Sequence, residues 1–329
     1  MERRFLVREQ MTEFVRDAFG SSGRLLAITR LAGGSKKGVY RLALDGDESA
    51  VLYVWSADEN YWPDGDDAAT DPFADASGAD LFEAGRAEFD ALGVRTPRLL
   101  FMDRSRRRHP ADLALVEDVR GGTLEALIER DPRAADEPLA LLGAALRLMA
   151  RRQSPGFGKV ALVANGKAPQ DRRPERIALE RALRHLTIVS ERVERIASAR
   201  TRIEERLRVL AAAVRPRDSY ALIHGELGPD HVLIDRRGRP VLIDIEGAMF
   251  FDLEWEHAFA KLRFGRHFAK LEPPDLDGAR MAFYQLAQSL SLIEGPLRIA
   301  DGDFPDRDFM VGIAEWHINA VLAAVMSGS

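Results

Sequence analysis

Residues 222–235, LIHGELGPDHVLID, concentrate carboxylates, an imidazole and glycine, and Asp244 follows shortly after in VLIDIEG. VLID and PVLID are short β-branched runs joined by the turn RRGR, which predicts a hairpin. His231 opens the first arm and Asp244 ends the second, so the hairpin brings them together, and Glu226 lies in the loop just before. Glu226, Asp230, His231, Asp244 and Glu246 are therefore expected to converge. Carboxylates so gathered repel one another unless a cation sits among them. Oxygen donors favour Mg²⁺ or Mn²⁺, and the imidazole tilts the set slightly towards Mn²⁺ or Zn²⁺. All five are candidates to surround such a cation. A structural histidine is the alternative reading of His231.

The elements that must position this cluster change in character along the chain. Phe5, Met11, Phe14, Val15 and Phe19 have helical spacing that ends at Gly20. LLAITRLAGGSKKGVYRLAL then predicts strand, glycine-rich turn and strand, and AVLYVWS a third strand. A helix is expected over 81–92, and RLLFMD and ADLALVEDV form a second strand pair around the basic, solvated turn RSRRRHP. After Val119 the pattern is mainly helical, with helices at TLEALIER, 138–152, two between 171 and 214, and others at 252–270, 278–294 and 308–326. Strand character returns only at 220–245. The expected fold is α+β, with a small antiparallel sheet domain over 1–118 and a helical domain over 119–329. Residues 58–80 hold eight acidic residues and no Lys or Arg, with Tyr61, Trp62 and Phe73 among them. They read either as a solvated insert or as an acidic flap over a cleft.

The chain has 329 residues, 46% hydrophobic and 30% charged, with a net charge of −5. These values fit a globular protein of two domains and argue against a general nucleic-acid binder, which needs a basic face. The absence of cysteine excludes disulfide and thiolate chemistry. No signal peptide or membrane-spanning run is read from the sequence, and the expected location is the cytoplasm.

The order of these motifs resembles the aminoglycoside phosphotransferase family, which shares the two-lobed protein-kinase fold. Glu226 stands in HGE where the family has the Asp of HGD, His231 where it has a metal-binding Asn, and Asp244 where kinases have the Asp of DFG. FDLEWEHA resembles the family's DPxxDLA box, with Asp252 and Glu256 at its acidic positions. FEAGRAEFDALGVRTPRLL resembles its helix and following strand. LALVEDVRGGTL resembles its hinge, where the backbone of Glu117 to Val119 would meet a nucleotide base. The resemblance implies ATP or GTP as phosphoryl donor, Mg²⁺ or Mn²⁺ held by His231, Asp244 and Glu246, and an acceptor hydroxyl whose proton Glu226 or Asp230 would take.

One part of that pattern is missing. The family's strand lysine, which holds the nucleotide phosphates and pairs with a helix glutamate, corresponds to Tyr53 in AVLYVWS. A triphosphate needs positive charge besides its metal. The nearest substitutes are Lys36 and Lys37 in the tip formed by Gly33, Gly34, Ser35, Lys36 and Lys37, whose backbone N–H groups would cradle phosphate; exposed turn lysines are the alternative. The partner role of Glu83 or Glu88 is then open. The expected function is transfer of a γ-phosphoryl group to a hydroxylated, cationic small molecule such as an aminoglycoside. A degenerate relative that binds nucleotide or a partner protein without catalysis is the alternative, and another reaction on the same scaffold a third.

Overall fold

The computed structural model describes residues 3–20, 23–31, 34–62, 71–73, 77–169, 173–273 and 275–326. Met11, Phe14 and Val15 form the buried face of helix α1 (Arg8–Phe19), and Gly20 caps it in a left-handed conformation, φ 69°. Strands β1 (Leu25–Arg30), β2 (Gly38–Leu44) and β3 (Ser49–Trp55) follow, then helix α2 (Ala79–Ala91), strands β4 (Leu99–Asp103) and β5 (Asp112–Glu117), and helix α3 (Leu124–Arg130). The strands form one antiparallel sheet in the order β1-β2-β3-β5-β4. Side chains alternate across a strand. Ala50, Leu52 and Val54 of β3 therefore join Tyr40, Leu42, Leu44, Leu113 and Leu115 in the core under α1. Val51, Tyr53 and Trp55 take the opposite face, where Phe82 of α2 lies edge-on to Tyr53 with ring centroids 5.7 Å apart.

The basic turn between β4 and β5 does more than face solvent. Arg108 pairs with Glu13 and Asp17 of α1, and Arg104 pairs with Asp80 and Glu83 of α2. These are exposed pairs and individually weak.

The chain continues through α4 (Asp136–Arg151), β6 (Gln153–Ser154), β7 (Gly158–Lys159), α5 (Val160–Ala164), α6 (Pro174–Arg192), α7 (Glu194–Ala212) and β8 (Tyr220–Ile223). The hairpin β9 (Val232–Ile234) and β10 (Pro240–Leu242) comes next, then β11 (Met249–Phe251), α8 (Leu253–Phe264), α9 (Gly278–Ala300) and α10 (Arg307–Met326). The chain divides into two compact units, one of residues 1–64, 75–138 and 230–247, the other of 65–74, 139–229 and 248–329. The expected boundary at 118/119 is therefore displaced. The hairpin joins the sheet-containing unit because Leu242 N–H donates to the Arg95 carbonyl at 2.9 Å and Ile234 N–H to that of Gly122 at 2.9 Å. Thr123 and Leu233 add an isolated antiparallel bridge.

The second unit packs α6, α7, α9 and α10 against one another and also holds a small sheet, ordered β6-β8-β11-β7, that α5 and α8 contact. By length and composition alone α10 is apolar enough to cross a membrane, contrary to the sequence reading; in the fold it packs on α9 and α7. The acidic segment 58–80 is split. Residues 63–70 and 74–76 lie outside the described residues, so about half of the segment carries no description. In the second unit Phe73 stacks on Trp255 at 4.4 Å and Asp71 lies 3.4 Å from Arg181, so these residues anchor the segment.

Two buried carboxylates of FDLEWEHA organise this unit. Asp252 accepts from Arg280 and, at 2.5 Å, from the Tyr284 hydroxyl. Glu256 accepts from the backbone N–H of Gly225 at 2.8 Å and of Leu227 at 3.2 Å, and so holds the HGEL loop. Burial pushes the Glu256 carboxyl up to about 7, with the Glu226 charge adding to the shift and the loop N–H groups opposing it. His257 and His317, expected to be structural, are buried and pushed down to about 4, which keeps them neutral.

Two outcomes follow. Arg280→Met strands the Asp252 charge and should cost about 3–5 kcal/mol in denaturant titration, with Asp252→Asn on that background recovering part of the loss. The Glu256 carboxyl is raised above its unfolded value, so its stabilising contribution is full in acid and declines as pH rises from the ordinary carboxylate range through about 7. Unfolding titrations should therefore show Glu256→Gln gaining on the parent across that window; a constant difference would contradict the burial argument.

Candidate active site

The glycine tip between β1 and β2 is shaped by close approaches. A Cβ on Gly38 would stand 2.5 Å from the Glu59 carboxyl carbon, and one on Gly34 would stand 2.5 Å from the Lys37 carbonyl. In the structure the missing side chains let the tip's own neighbours come close. Gly33 lies outside the described residues. Ser35 is fixed on both sides, its carbonyl accepting from Tyr61 N–H at 2.8 Å and its hydroxyl from the Trp62 indole at 3.1 Å. Lys36 turns to Trp62, with its ammonium 4.9 Å from the ring centroid.

Lys37 turns the other way. Its ammonium lies 2.5 Å from Asp244 Oδ1, 2.7 Å from Glu246 Oε1 and 5.2 Å from the Tyr53 ring centroid. Register explains the difference between the two lysines. Gly38 faces Val54 and Val39 faces Tyr53 across the β2–β3 ladder. Extending that alternation by one residue puts Lys37 on the face of Tyr53 and Trp55, and Lys36 on the other. Lys37 is only 6% exposed. Burial would lower its affinity for the proton, but the Asp244 and Glu246 charges outweigh burial and raise it above the usual lysine value.

Asp244 has left-handed backbone, φ 59°, a conformation that few side chains other than Asp and Asn adopt readily. Burial favours its neutral form, yet Lys37 first and His231 second hold its carboxyl below the usual carboxylate range. The predicted hairpin does bring His231 to Asp244. Ile243 N–H donates to the His231 carbonyl at 3.0 Å, which sets His231 Nε2 3.8 Å from Asp244 Oδ2 and 3.7 Å from Asp230 Oδ2.

Glu246 departs from its expected part. Its Oε1 accepts from Lys37 and, at 3.2 Å, from the Trp55 indole, and its side chain is 1% exposed against 46% for Asp244. Among the described residues, no group of three or more His, Asp or Glu side chains is placed to hold a metal ion. Mg²⁺ needs only one or two carboxylates when substrate phosphates complete its shell. Asp244, half-exposed and beside His231, fits that requirement. Glu246, buried against an ammonium, does not.

Glu226 is exposed on the HGEL loop of the second unit, while Asp230 opens the hairpin segment of the first. In the hinge, Glu117 N–H already donates to the Arg98 carbonyl at 2.9 Å, so that donor is engaged within the sheet. The Glu117 carboxylate binds Arg95 at 2.7 Å, and Val119 is buried. Sequence reading missed Asp118, whose carboxylate gathers Arg41, Ser49 and Arg120 and ties the hinge to the edge of β2 and β3. Arg41 at an outward position of β2 was the available signal.

Solved structures with the same fold cover nearly the whole chain. A thermostable mutant of aminoglycoside phosphotransferase APH(4)-Ia, in ternary complex with AMP-PNP and hygromycin B, superposes with a TM-score of 0.65 at 19% identity, covering 97% of this chain and 99% of that one. The GDP and kanamycin complex of APH(2")-IIia gives 0.64 at 18% identity, covering 96% and 99%. Choline kinase LicA from Streptococcus pneumoniae gives 0.62 at 13% identity, again covering 96% and 99%. A search of curated proteins finds no match. The sequence model of the phosphotransferase enzyme family matches residues 28–292, a span that holds the glycine tip, the hinge, the HGEL loop and the Asp244 hairpin, and the chain belongs to that family.

Proposed function

We propose that this phosphotransferase moves the γ-phosphoryl group of ATP or GTP to a hydroxyl of a small cationic acceptor. The observation that carries the reading is the Lys37 ammonium over Tyr53, bound to Asp244. The ammonium stands beside the position from which the strand lysine is missing, where a phosphate donor needs positive charge besides its metal. Structures of the same fold hold AMP-PNP with hygromycin B, and GDP with kanamycin, which supports a nucleotide donor and an aminoglycoside-like acceptor.

In this reading Asp244, with His231 beside it, holds Mg²⁺, whose charge offsets that of the phosphates when it is bound. Lys37 supplies the second cation. Glu226, at the position of the family's catalytic Asp, accepts the proton of the acceptor hydroxyl. One methylene longer than Asp, it keeps the carboxylate that general-base catalysis requires. Glu256 fixes the loop that carries it. Nucleotide binding without transfer is the second reading, favoured by Tyr53 and by the neutralisation of Asp244 by Lys37.

Asp244→Asn should abolish the thermal stabilisation that ATP or GTP gives in the presence of Mg²⁺ while leaving unfolding without nucleotide little changed. Retention of that stabilisation would remove Asp244 from the metal site. Glu226→Gln should lower turnover by about 10²-fold or more with nucleotide affinity unchanged. Full activity in that variant would pass the proton-accepting role to another group, Asp230 first. Metal-dependent release of ADP or GDP across a panel of hydroxylated amines separates transfer from binding alone.

A further inference from the structure

Helix α2 offers Tyr53 and Trp55 an aromatic ring where the family offers its strand lysine a carboxylate. Phe82 lies edge-on to Tyr53 at 5.7 Å and tilted against Trp55 at 5.7 Å. Glu83 of the same helix is held by Arg104 at 2.5 Å. The strand lysine is thus absent, and Glu83 is engaged elsewhere. A lysine and a glutamate nevertheless meet over Tyr53. Lys37 arrives from the glycine tip and Glu246 from the turn after β10, 2.7 Å apart, and the Trp55 indole steadies the same Glu246 oxygen.

We infer that Lys37 and Glu246 replace that pair as a unit: Lys37 is the residue that contacts nucleotide phosphate, and Glu246 is the positioning residue that holds its ammonium over Tyr53. The inference rests on the phosphotransferase reading and reassigns Glu246 within it. The two carboxylates on Lys37 then divide their work. Glu246 is buried, and a buried carboxylate without a cation is strongly destabilising, so its bond to Lys37 is the permanent one. Asp244 is 46% exposed and can exchange the ammonium for a metal.

A relocated lysine requires a rigid tip, and residues 59–62 supply the rigidity. Buried Glu59 packs against Gly38 and is itself held by the Tyr40 hydroxyl and by Arg30 at 3.0 Å. Tyr61 and Trp62 bind Ser35, and the Ser77 hydroxyl donates to the Lys36 carbonyl at 3.0 Å. The segment read from the sequence as a solvated insert or a flap thus begins as a strap across the tip.

The test measures binding of ATP, GTP and adenosine by calorimetry with Mg²⁺ present, in Lys37→Met, Glu246→Gln, the double variant, and Lys37→Met with Tyr53→Lys. Lys37→Met should weaken the nucleoside triphosphate about 10- to 100-fold, the loss of one charged hydrogen bond, and leave adenosine unchanged. Returning the lysine to the strand as Tyr53→Lys should recover most of that loss. Glu246→Gln should weaken triphosphate in the same direction, and the double variant should lose no more than Lys37→Met alone. Triphosphate affinity in Lys37→Met equal to the parent's, or additive losses in the double variant, would overturn the inference. Should Lys37→Met not fold, the double variant, which removes both charges, carries the comparison with adenosine. Triphosphate that binds as described but is never transferred overturns the phosphotransfer reading and leaves the relocated pair standing; a parent that binds no triphosphate overturns both.

Discussion

A charged carboxylate cannot be buried without a cation or hydrogen-bond donors to hold it, and Glu246 is buried. From that requirement the local architecture follows. The ammonium must come from a neighbouring element, and β3 carries no Lys or Arg. It comes from the tip, where register gives Lys37 the correct face and withholds it from Lys36. The tip must then be closed down, which Gly38 permits by letting Glu59 lie against its backbone. Asp244 must reach the same ammonium from the end of β10, and its left-handed backbone is the means.

The same constraint orders the second unit with different partners. Asp252 is satisfied by Arg280 and Tyr284, and Glu256 by backbone N–H groups of the HGEL loop. In both, burial favours the neutral form over the partners' pull, and it pushes the Glu256 carboxyl up to about 7. Two of the family's aspartates, in HGD and in DPxxD, are glutamates here, Glu226 and Glu256. Glu256 holds the loop that carries Glu226.

Much of the fold was legible from one sequence because it rests on local periodicity. The helix ending at Gly20, the glycine-tipped hairpin, the β4–β5 pair and the presence of two helices between 171 and 214 all follow from spacing and turn chemistry. The strands β6, β7 and β11 are two or three residues long and owe their existence to pairing with β8 and with one another, so no local signal marks them. The unit boundary was misplaced for a similar reason. Composition changes near Val119, but hydrogen bonds from the hairpin back to Arg95 and Gly122 decide which unit it joins.

For the site, the sequence by itself determined which groups exist and which are adjacent along a hairpin: His231 beside Asp244, Glu226 on the preceding loop, and a strand that lacks its lysine. Only the tertiary structure decided how charge is distributed among them. Glu246 and Asp244 are chemically alike and two residues apart, yet one is 1% and the other 46% exposed, and that contrast makes one a partner for an ammonium and the other a site for a metal. Lys36 and Lys37 are identical neighbours that face opposite sides of the tip. Burial and facing are set by elements distant in the chain, β3 and α2 above all, and a linear sequence carries no direct record of them.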